Sequence, residues 1–327
     1  MIYPHFLINL NQSQSIFEQE TIMDNNKPKR VLITGCSSGF GFYTAIEAAK
    51  AGFDTIATMR NPKKTANLEN ALKSAGVTAT IDILDVTNPE NIKEIAEKYA
   101  PIDILINNAG ILISGSFLDL SMEESRLVFE TNYFGAVALT KAVAPQMIER
   151  KQGMIINIAS LAGLVGHMFN AAYSSSKHAL VGFSRSIHTE LKPFNIDVVC
   201  VEPGYHKTEI IGLNANIAEN FYNPDSAMAN YNRGFLRLMH KEVVPRAGKP
   251  KDVTNLILKI MRSENPKTHY TIGKDATFIL TAKKLGLQKL LEKMAFKKLL
   301  TATRREKRRL EARKQKRKKQ KSKTPAS

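Results

Sequence analysis

The sequence predicts a single doubly wound α/β domain, in which a parallel sheet is covered by helices on both faces. Apolar runs of three to six residues alternate along the chain with windows of helical composition. The runs are nearly continuous in apolar residues, as strands buried on both faces require. Right-handed crossovers between such strands give a doubly wound sheet. At 327 residues, 43% of them hydrophobic, the chain has enough material for one such core.

Six strands are expected in chain order, with helices between them. The strands are predicted at 31–33, 55–58, 79–84, 102–106, 154–159 and 196–201, and helical windows at 43–51, 88–99 and 122–149. Residues 205–245 break this rhythm with Asn, Met and aromatic residues, so we expect an insert that covers a substrate. The main domain is therefore assigned to residues 28–282. Residues 1–27 are expected to be a disordered extension, in which Met23 offers an alternative start to Met1.

The positive charge lies almost entirely in one terminal segment. The formal charge is +17, and residues 283–327 hold nineteen Lys and Arg against three Glu, which places +16 in that segment and +1 in the remainder. From Lys283 onward leucines interleave with lysines, a pattern that predicts a basic amphipathic helix. Beyond Arg304 the sequence is nearly all charge, and we expect a disordered, unanchored tail.

Three interpretations of this basic segment stay open: a solvated extension without function, a helix lying on anionic lipid, or a nucleic-acid contact. The leucines favour lipid over nucleic acid. No aromatic residue follows Phe296 to stack on a base. The expected partner is therefore an anionic membrane, contacted peripherally. The segment after residue 282 is expected to be dispensable for chemistry.

Cysteine usage and hydropathy indicate the compartment. Cys36 and Cys200 are too few for a disulfide framework, so reduced thiols are expected. No apolar run reaches the roughly 18 residues of a membrane-spanning helix. The N-terminal stretch lacks the basic lead and long apolar centre of a signal peptide. These observations predict a cytoplasmic protein, peripheral at the membrane through its basic segment.

A glycine-rich turn between the first strand and the first helix predicts a phosphate-binding site. The turn places G-x-x-x-G-x-G ahead of a helix whose exposed N–H groups can bind a pyrophosphate. Glycine lets the backbone approach the phosphates and the helix pack closely on the strand. The alternative is a turn that merely needs positive φ. The candidate residues are Thr34, Gly35, Ser37, Ser38, Gly39, Phe40 and Gly41.

Tyr173 and Lys177 form the most informative pair of side chains. Their i, i+4 spacing puts a phenol and an ammonium on one face of a helix. A neighbouring cation lowers the pKa of a phenol and suits it to acid–base work near neutral pH. Tyr270 and Lys274 repeat the spacing, but a glycine within a β-branched run makes that copy the end of a strand. Only the first pair follows an apolar run that ends in a hydroxyl residue, Ser160.

With these motifs the chain resembles the short-chain dehydrogenase/reductase family over residues 29–275. The resemblance rests on motifs that are individually weak but stand in the family's order. They are the 34–41 turn, Asp85 with Val86, Asn108 with Ala109 and Gly110, Asn132, Ser160, Tyr173 with Lys177, and Pro203 with Gly204 and Thr208. The resemblance implies a Rossmann fold that binds a nicotinamide cofactor through the turn, the Asp85, Asn108 and Pro203 motifs, Tyr173 and Lys177.

The resemblance also implies a role for each catalytic residue. Ser160 would hold a substrate carbonyl and Tyr173 would supply the proton. Lys177 would bind the nicotinamide ribose and lower the pKa of Tyr173, while Asn132 would hold a proton-relay water. Asp85 would bond the adenine amino group. Hydride transfer to a ketone creates an alkoxide, which needs a nearby proton and a fixed donor at the oxygen. The alternatives without a catalytic role are that Ser160 or Asp85 is a turn residue and that Asn132 faces solvent.

The end of the second strand indicates the cofactor. A carboxylate there would bond the ribose 2′-hydroxyl of NAD, whereas a basic residue suits the 2′-phosphate of NADP. The strand is followed by Arg60 and two lysines with no acid in reach. NADP(H) is therefore favoured over NAD(H), and reduction over oxidation. The alternative is a solvated basic loop.

Substrate identity is indicated only by class. The ending after Arg246 looks like the steroid, retinol and lipid-carbonyl branch of the family, and the Met- and aromatic-rich insert suits a small hydrophobic carbonyl or alcohol. His206 and Lys207 are read as solvent-facing. The alternative function is a non-catalytic nucleotide-binding sensor or scaffold that engages a membrane or nucleic acid through its basic segment. A proton donor is superfluous in such a protein. We also expect a homo-oligomer and no metal.

Overall fold

The computed structural model describes residues 27–209 and 216–321. Seven strands form one parallel sheet in the order β3-β2-β1-β4-β6-β7-β9. The predicted doubly wound sheet is therefore confirmed. The strands are β1 Arg30–Ile33, β2 Asp54–Met59, β3 Thr80–Ile83, β4 Ile104–Asn107, β6 Gly153–Ile158, β7 Ile196–Pro203 and β9 His269–Ile272. A two-stranded sheet joins β5 Ile113–Ser114 to β8 Asn216–Ile217.

The helices pack on the two faces of the sheet and give it two apolar layers. Along β1, Val31 and Ile33 belong to one buried cluster and Leu32 to the other. Because successive side chains point to opposite faces, a strand covered on both sides must be apolar throughout. The helices are α1 Gly39–Lys50, α2 Thr65–Ser74, α3 Pro89–Lys98, α4 Met122–Phe129, α5 Gly135–Arg150, α6 Ala171–Leu191, α7 Ala229–Leu238, α8 Pro250–Met261, α9 Lys274–Lys284 and α10 Gln288–Lys321.

The strand order reverses between β1 and β4. The chain moves from β1 to β2 and β3 on one side, then returns to place β4 on the other side of β1. The carboxyl ends of β1 and β4 therefore diverge, and the crevice between them is where open α/β sheets bind ligands.

The predicted helix at 122–149 is interrupted. A capping box between Ser121 and Glu124 starts α4, and one π-helical turn, Glu130–Phe134, separates α4 from α5. π turns are rare and occur often at functional sites. This one contains Asn132, so the sequence prediction gave the helices but missed the irregularity that positions the side chain.

The C-terminal segment differs from its prediction in two respects. The basic helix begins at Gln288 rather than Lys283, because α9 ends before a turn in which Gly286 adopts φ 72°. It also continues beyond Arg304, to Lys321. Glu306 forms an ion pair with Arg237 of α7 at 3.2 Å, so this part of the chain is anchored on the insert.

α10 is a component of the fold. Leu299, Ala302 and Thr303 are buried, and Leu299 joins a cluster with Phe169 and Phe235. The rings of Phe169 and Phe235 stack at 4.7 Å between centroids.

Two other expectations can be compared with the described residues. Both cysteines are buried free thiols, and no helix in the described ranges has the length and hydropathy to cross a membrane. The predicted N-terminal extension, apart from Lys27, lies outside the described residues, as do residues 210–215 of the insert and residues 322–327.

Candidate active site

The turn after β1 has a backbone that only glycine fits. Gly35 and Gly39 have φ values of 72° and 61°, which lie in the left-handed region that side chains avoid. A Cβ on Gly35 would stand 2.8 Å from the Ala109 Cα, and one on Gly41 would stand 2.6 Å from the Gly35 carbonyl oxygen. The glycines therefore serve both the turn itself and the close packing of α1 against the loop after β4.

Thr34 and Asn108 fix that loop to the turn. The Thr34 hydroxyl accepts hydrogen bonds from the Asn108 and Ala109 amides at 3.0 and 2.9 Å. The Asn108 side chain donates to the carbonyls of Thr34 and Gly35 at 2.8 and 3.2 Å. Two motifs more than seventy residues apart in the chain thus form one rigid edge of the crevice.

A cleft of about 270 Å³ lies at the switch point, and we call it the switch-point cleft. Of the predicted cofactor residues, these line it: Gly35, Ser37, Ser38, Gly39, Phe40, Arg60, Asp85, Val86, Asn108, Ala109, Gly110, Tyr173, Lys177 and Thr208. Thr34 and Gly41 support it from behind. Pro203 and Gly204 line the adjoining cavity instead.

The fit to a dinucleotide can be tested on the turn. No side chain among the described residues caps the N-terminus of α1 at Ser38, so amides of its first turn remain available to an anion. Arg60, Asn61 and Lys64 line the same cleft at the end of β2. Lys64 belongs to the same basic run as Arg60, which is the residue predicted to bind a phosphate. The residues present therefore suit a phosphorylated dinucleotide.

Ser160, Tyr173 and Lys177 come together where β6 ends and α6 begins its course across the sheet. Ser160 stands two residues after the end of β6, and α6 carries Tyr173 and Lys177 one turn apart. The Lys177 Nζ lies 5.9 Å from the centre of the Tyr173 ring and donates to the Ile158 carbonyl at 2.8 Å. Lys177 is buried.

Next to the switch-point cleft is a second space, which we call the inner cavity. Its lining includes Ser160, Tyr173 and three apolar side chains, Phe40, Leu112 and Leu161. Tyr173 lines both spaces, with Ser160 on the side of the cavity and Lys177 on the side of the cleft.

Asn132 is held in the π turn by its own side chain. Its Oδ1 accepts from the Ile111 amide at 2.7 Å, and its Nδ2 donates to the Ile111 carbonyl at 2.9 Å and to the Ser176 Oγ at 3.1 Å. Gly110 lies close to both Asn132 and Lys177, since a Cβ there would be 3.2 Å from the Asn132 Oδ1 and 3.4 Å from the Lys177 Nζ. Asn132 is therefore a buried residue whose side chain makes three hydrogen bonds to the protein, and it does not face solvent.

The pKa of Tyr173 is shifted upward in this structure, opposite to the direction that its pairing with Lys177 predicts. Burial raises the pKa of Tyr173 above its usual value of 10, and a hydrogen bond with Ser160 offsets part of this rise. Burial also lowers the pKa of Lys177 to about 8. A buried site penalises charge on both groups, and burial is the largest cause of each shift.

The inner cavity contains a polar pair that was not predicted from the sequence. The His167 Nδ1 and the Tyr205 hydroxyl are 2.9 Å apart, and both residues line the cavity. Burial lowers the pKa of His167, which favours the neutral ring. The sequence feature that could have indicated Tyr205 is its position directly after the Pro203 and Gly204 motif.

Two expectations concern the residues around the cavity. His206 is buried, with its Nδ1 2.9 Å from the Gly204 carbonyl and its ring edge-on to Phe40. Only Lys207 faces solvent. Part of the insert belongs to the core, because Phe221 is fully buried and Phe235 packs on Phe169, whereas Tyr222 is 53% exposed. Of the predicted insert at 205–245, Tyr205, His206 and Thr208 line the cavity, and no described residue of 216–245 does.

The second tyrosine and lysine pair is separate from this site. Tyr270 lies in β9, and Lys274 begins α9 after Gly273, which has φ 120°. The prediction that this copy marks a strand end is confirmed.

Comparison with known proteins identifies the family. The sequence model of the short chain dehydrogenase family matches residues 29–216. The chain belongs to the short-chain dehydrogenase family. An uncharacterised oxidoreductase, YusZ of Bacillus subtilis (strain 168), is 37% identical over 84% of this chain and 99% of its own length. Retinol dehydrogenase 8 of Bos taurus is 38% identical over 73% of this chain and 80% of its own.

Solved structures of the family agree. An actinorhodin polyketide ketoreductase determined with NADPH matches with a TM-score of 0.64 and 28% identity, covering 75% of this chain and 95% of that one. This short-chain dehydrogenase is therefore an oxidoreductase by family, similar to the steroid and retinol branch. None of these relatives supports the alternative of a non-catalytic sensor.

Proposed function

We propose that this short-chain dehydrogenase uses NADP(H) to interconvert a carbonyl and an alcohol on an apolar substrate. The observation that carries the proposal is the position of Tyr173, which lines both the switch-point cleft and the inner cavity. A proton donor at that boundary can reach a substrate oxygen in the cavity while a cofactor occupies the cleft. When bound, the nicotinamide would supply or accept the hydride.

Ser160 and Tyr173 would act on the substrate oxygen. Ser160 Oγ accepts from the Ala162 amide at 3.1 Å and has the Pro203 carbonyl 3.5 Å away, so its hydroxyl has a fixed position. We assign it to hold the carbonyl oxygen. Tyr173, whose raised pKa keeps it protonated at neutral pH, would donate its proton to the developing alkoxide.

Lys177 and Asn132 would position these groups. Lys177 reaches the cleft from the same helix face as Tyr173, and we assign it to the nicotinamide ribose. Asn132 fixes the Ile111 backbone beside the cleft, and we assign it to a proton-relay water.

The preference for NADP(H) rests on charge at the end of β2. Arg60 is exposed and lines the cleft, where a 2′-phosphate would meet it. Lys64 lines the same cleft, but its Nζ lies 4.0 Å from a carboxylate oxygen of Glu209. The relative solved with NADPH is consistent with this assignment.

The substrate class rests on the lining of the inner cavity. Phe40, Leu112 and Leu161 give it apolar walls, and the similarity to a protein named retinol dehydrogenase points the same way. The first experiment is therefore a panel of apolar aldehydes and ketones incubated with NADPH, followed by loss of the NADPH absorbance. Absence of turnover across the panel with either cofactor would contradict the proposal.

Tyr173→Phe tests the assignment of the proton donor. The change removes one hydroxyl and leaves the ring, so reduction should fall by about 10²–10⁴-fold while NADPH affinity, measured by fluorescence titration, stays within a few-fold of the parent. Tyr205→Phe is the matched control in the same cavity and should retain far more activity. Near-parental turnover of Tyr173→Phe would refute the assignment.

Two further predictions stay open as proposals. We propose a homo-oligomer, which sedimentation equilibrium would reveal as a mass above that of one chain. We also propose a cytoplasmic location, which fractionation of cells that express the chain would test.

A further inference from the structure

The start of α10 and the turn before it expose apolar side chains. Leu285, Leu287, Leu290, Met294 and Phe296 are each between 43% and 69% exposed. A turn is ordinarily polar, yet this one presents two leucines around Gly286. Isolated exposed apolar residues are normal, but a contiguous group marks an interaction site.

Lysines interleave with these residues. Lys289, Lys293 and Lys297 follow one another at i, i+4 and i+8 and so form a ridge along α10. All three are exposed, and none has an acidic partner within ion-pair distance among the described residues. We call these three lysines and the five apolar residues the apolar–basic surface.

A basic groove of about 610 Å³ adjoins this surface. Arg237 and Lys241 line it from α7 and the turn after it, and Met294, Lys297 and Arg305 line it from α10. Its acidic residue, Glu242, already forms an ion pair with Lys298 at 2.8 Å. The groove therefore has an excess of positive charge directly beside the exposed Met294.

Folding does not account for the apolar–basic surface. The packing side of α10 is supplied by Leu299, Ala302 and Thr303, which are buried against α7 and its neighbours. A solvated helix face would hold charges without exposed leucines, and a nucleic-acid site would use the lysines but gain little from the leucines. Apolar side chains set among lysines suit the interface of an anionic bilayer, where the apolar groups enter the acyl boundary and the lysine stems extend toward the head groups.

We propose that the apolar–basic surface docks on an anionic lipid bilayer, with head-group phosphates received by the adjoining groove. The surface lies beside the substrate side of the molecule, because Lys283 donates to the Leu164 carbonyl at 2.8 Å and Leu299 packs on Phe169, and these two contacts bracket the 164–169 loop that carries His167. The proposed membrane docking does not depend on the proposed enzymatic reaction.

Co-sedimentation of the full chain with vesicles tests the proposal. The chain should pellet with phosphatidylserine-containing vesicles at low salt, stay soluble with pure phosphatidylcholine vesicles, and bind less as salt rises. Lys293→Gln with Lys297→Gln should weaken binding about fivefold for each lysine, or about 25-fold together. Leu285→Ser with Leu287→Ser should weaken it at least tenfold without changing its salt dependence.

A matched control separates this surface from overall charge. Lys251→Gln with Lys259→Gln removes the same charge from exposed positions of α8 and should bind vesicles like the parent. Circular dichroism would verify that each variant is folded, and the lysine pair decides the outcome if the leucine pair fails to fold. None of these residues belongs to the catalytic site, so turnover of a water-soluble substrate should not change.

Three outcomes would overturn the proposal. One is a parent chain that stays in the supernatant at low salt, and another is a control variant that loses as much binding as the Lys293 and Lys297 variant. The third is tight binding to RNA that is insensitive to the leucine substitutions, which would assign the surface to nucleic acid. Because sedimentation requires no turnover, failure of the proposed enzymatic function would leave the test intact.

Discussion

Lys177 is a buried lysine, and burial disfavours its positive charge. Its pKa falls from 10.5 to about 8, so the folded state binds this proton less tightly than the unfolded state does. Below about pH 8 the group is protonated in both states and the full penalty applies. As the pH rises from about 8 toward 10.5 the folded protein loses the proton first, and the penalty disappears. A residue so placed is retained for function rather than stability.

Lys177→Met should therefore separate stability from activity. Removing the charge should raise the free energy of unfolding at pH 7 by about 1–3 kcal/mol, the rough equivalent of the pKa shift less the lost bond to Ile158. The gain over the parent should shrink by pH 9.5, while cofactor affinity and turnover fall. Urea unfolding at both pH values measures the difference. A variant less stable than the parent at pH 7 would mean that the hydrogen bond to Ile158 outweighs the burial cost.

Arg60→Asp should shift cofactor preference from NADPH toward NADH. The change removes an attractive charge from the cleft and adds repulsion against a 2′-phosphate, so the ratio of kcat/KM for the two cofactors should change at least tenfold. Lys73→Asp makes the same change of charge on the exposed side of α2 and should leave the ratio as it was. An unchanged ratio in the Arg60 variant would transfer the role to Lys64 or to another residue.

Among the site residues, the sequence predicted those that are recognisable from their spacing to nearby residues. Tyr173 and Lys177 are one helical turn apart, and Ser160 ends the apolar run of a predicted strand, so a chain pattern can reveal them. The pairing of His167 with Tyr205 depends on how two distant segments fold over the cavity, and no local pattern encodes it. The direction of the pKa shift of Tyr173 was missed for the same reason, because burial is a property of the folded molecule.

Among the elements, the strands were the easiest to predict and the interruptions the hardest. Strands buried on both faces leave continuous apolar runs, so all six predicted strands are present. The π turn at Asn132 leaves no comparable signal, since helical composition continues through it. The start of α10 was misplaced because leucine and lysine continue across Gly286, where a single positive φ ends the helical path.

The contact between α7 and α10 depends on a glycine. A Cβ on Gly234 would stand 2.8 Å from the Thr303 Cα and 2.9 Å from its amide nitrogen, so Gly234→Ala should force the helices apart and cost about 1–3 kcal/mol. Gly182→Ala is the matched control, since nothing lies within 4 Å of its Cβ in α6, and it should stabilise by about 0.5–1 kcal/mol. Thermal unfolding of both variants measures the contrast. Equal changes in thermal stability would show that α10 can move away from residue 234 at little energetic cost.

For the whole molecule, the position of α10 changes the expected result of truncation. The sequence indicated that residues after 282 are dispensable for chemistry. In the structure their removal would uncover Phe169, Phe235 and Leu238. Burying a large apolar side chain contributes about 1.5–3 kcal/mol, so a chain ending at Ala282 should unfold at a clearly lower temperature and bind a hydrophobic dye. A chain ending at Leu310 keeps the packed part of α10 and should melt like the parent. Identical melting of the two truncated chains would show that the helix is not part of the cooperative fold.

The packing of α10 on α7 also sets an order of events during synthesis. Roughly sixty residues separate Phe235 from Leu299, so α7 leaves the ribosome well before the helix that covers it. Until α10 emerges, the nascent chain exposes Phe235 and Leu238 to solvent, at a stage when the sheet strands before them are already free to pair. Nascent segments of this kind are the ones that associate wrongly or recruit chaperones. Slowing translation between α7 and α10 would prolong that exposure, and the yield of native protein would then depend on codon choice within this stretch.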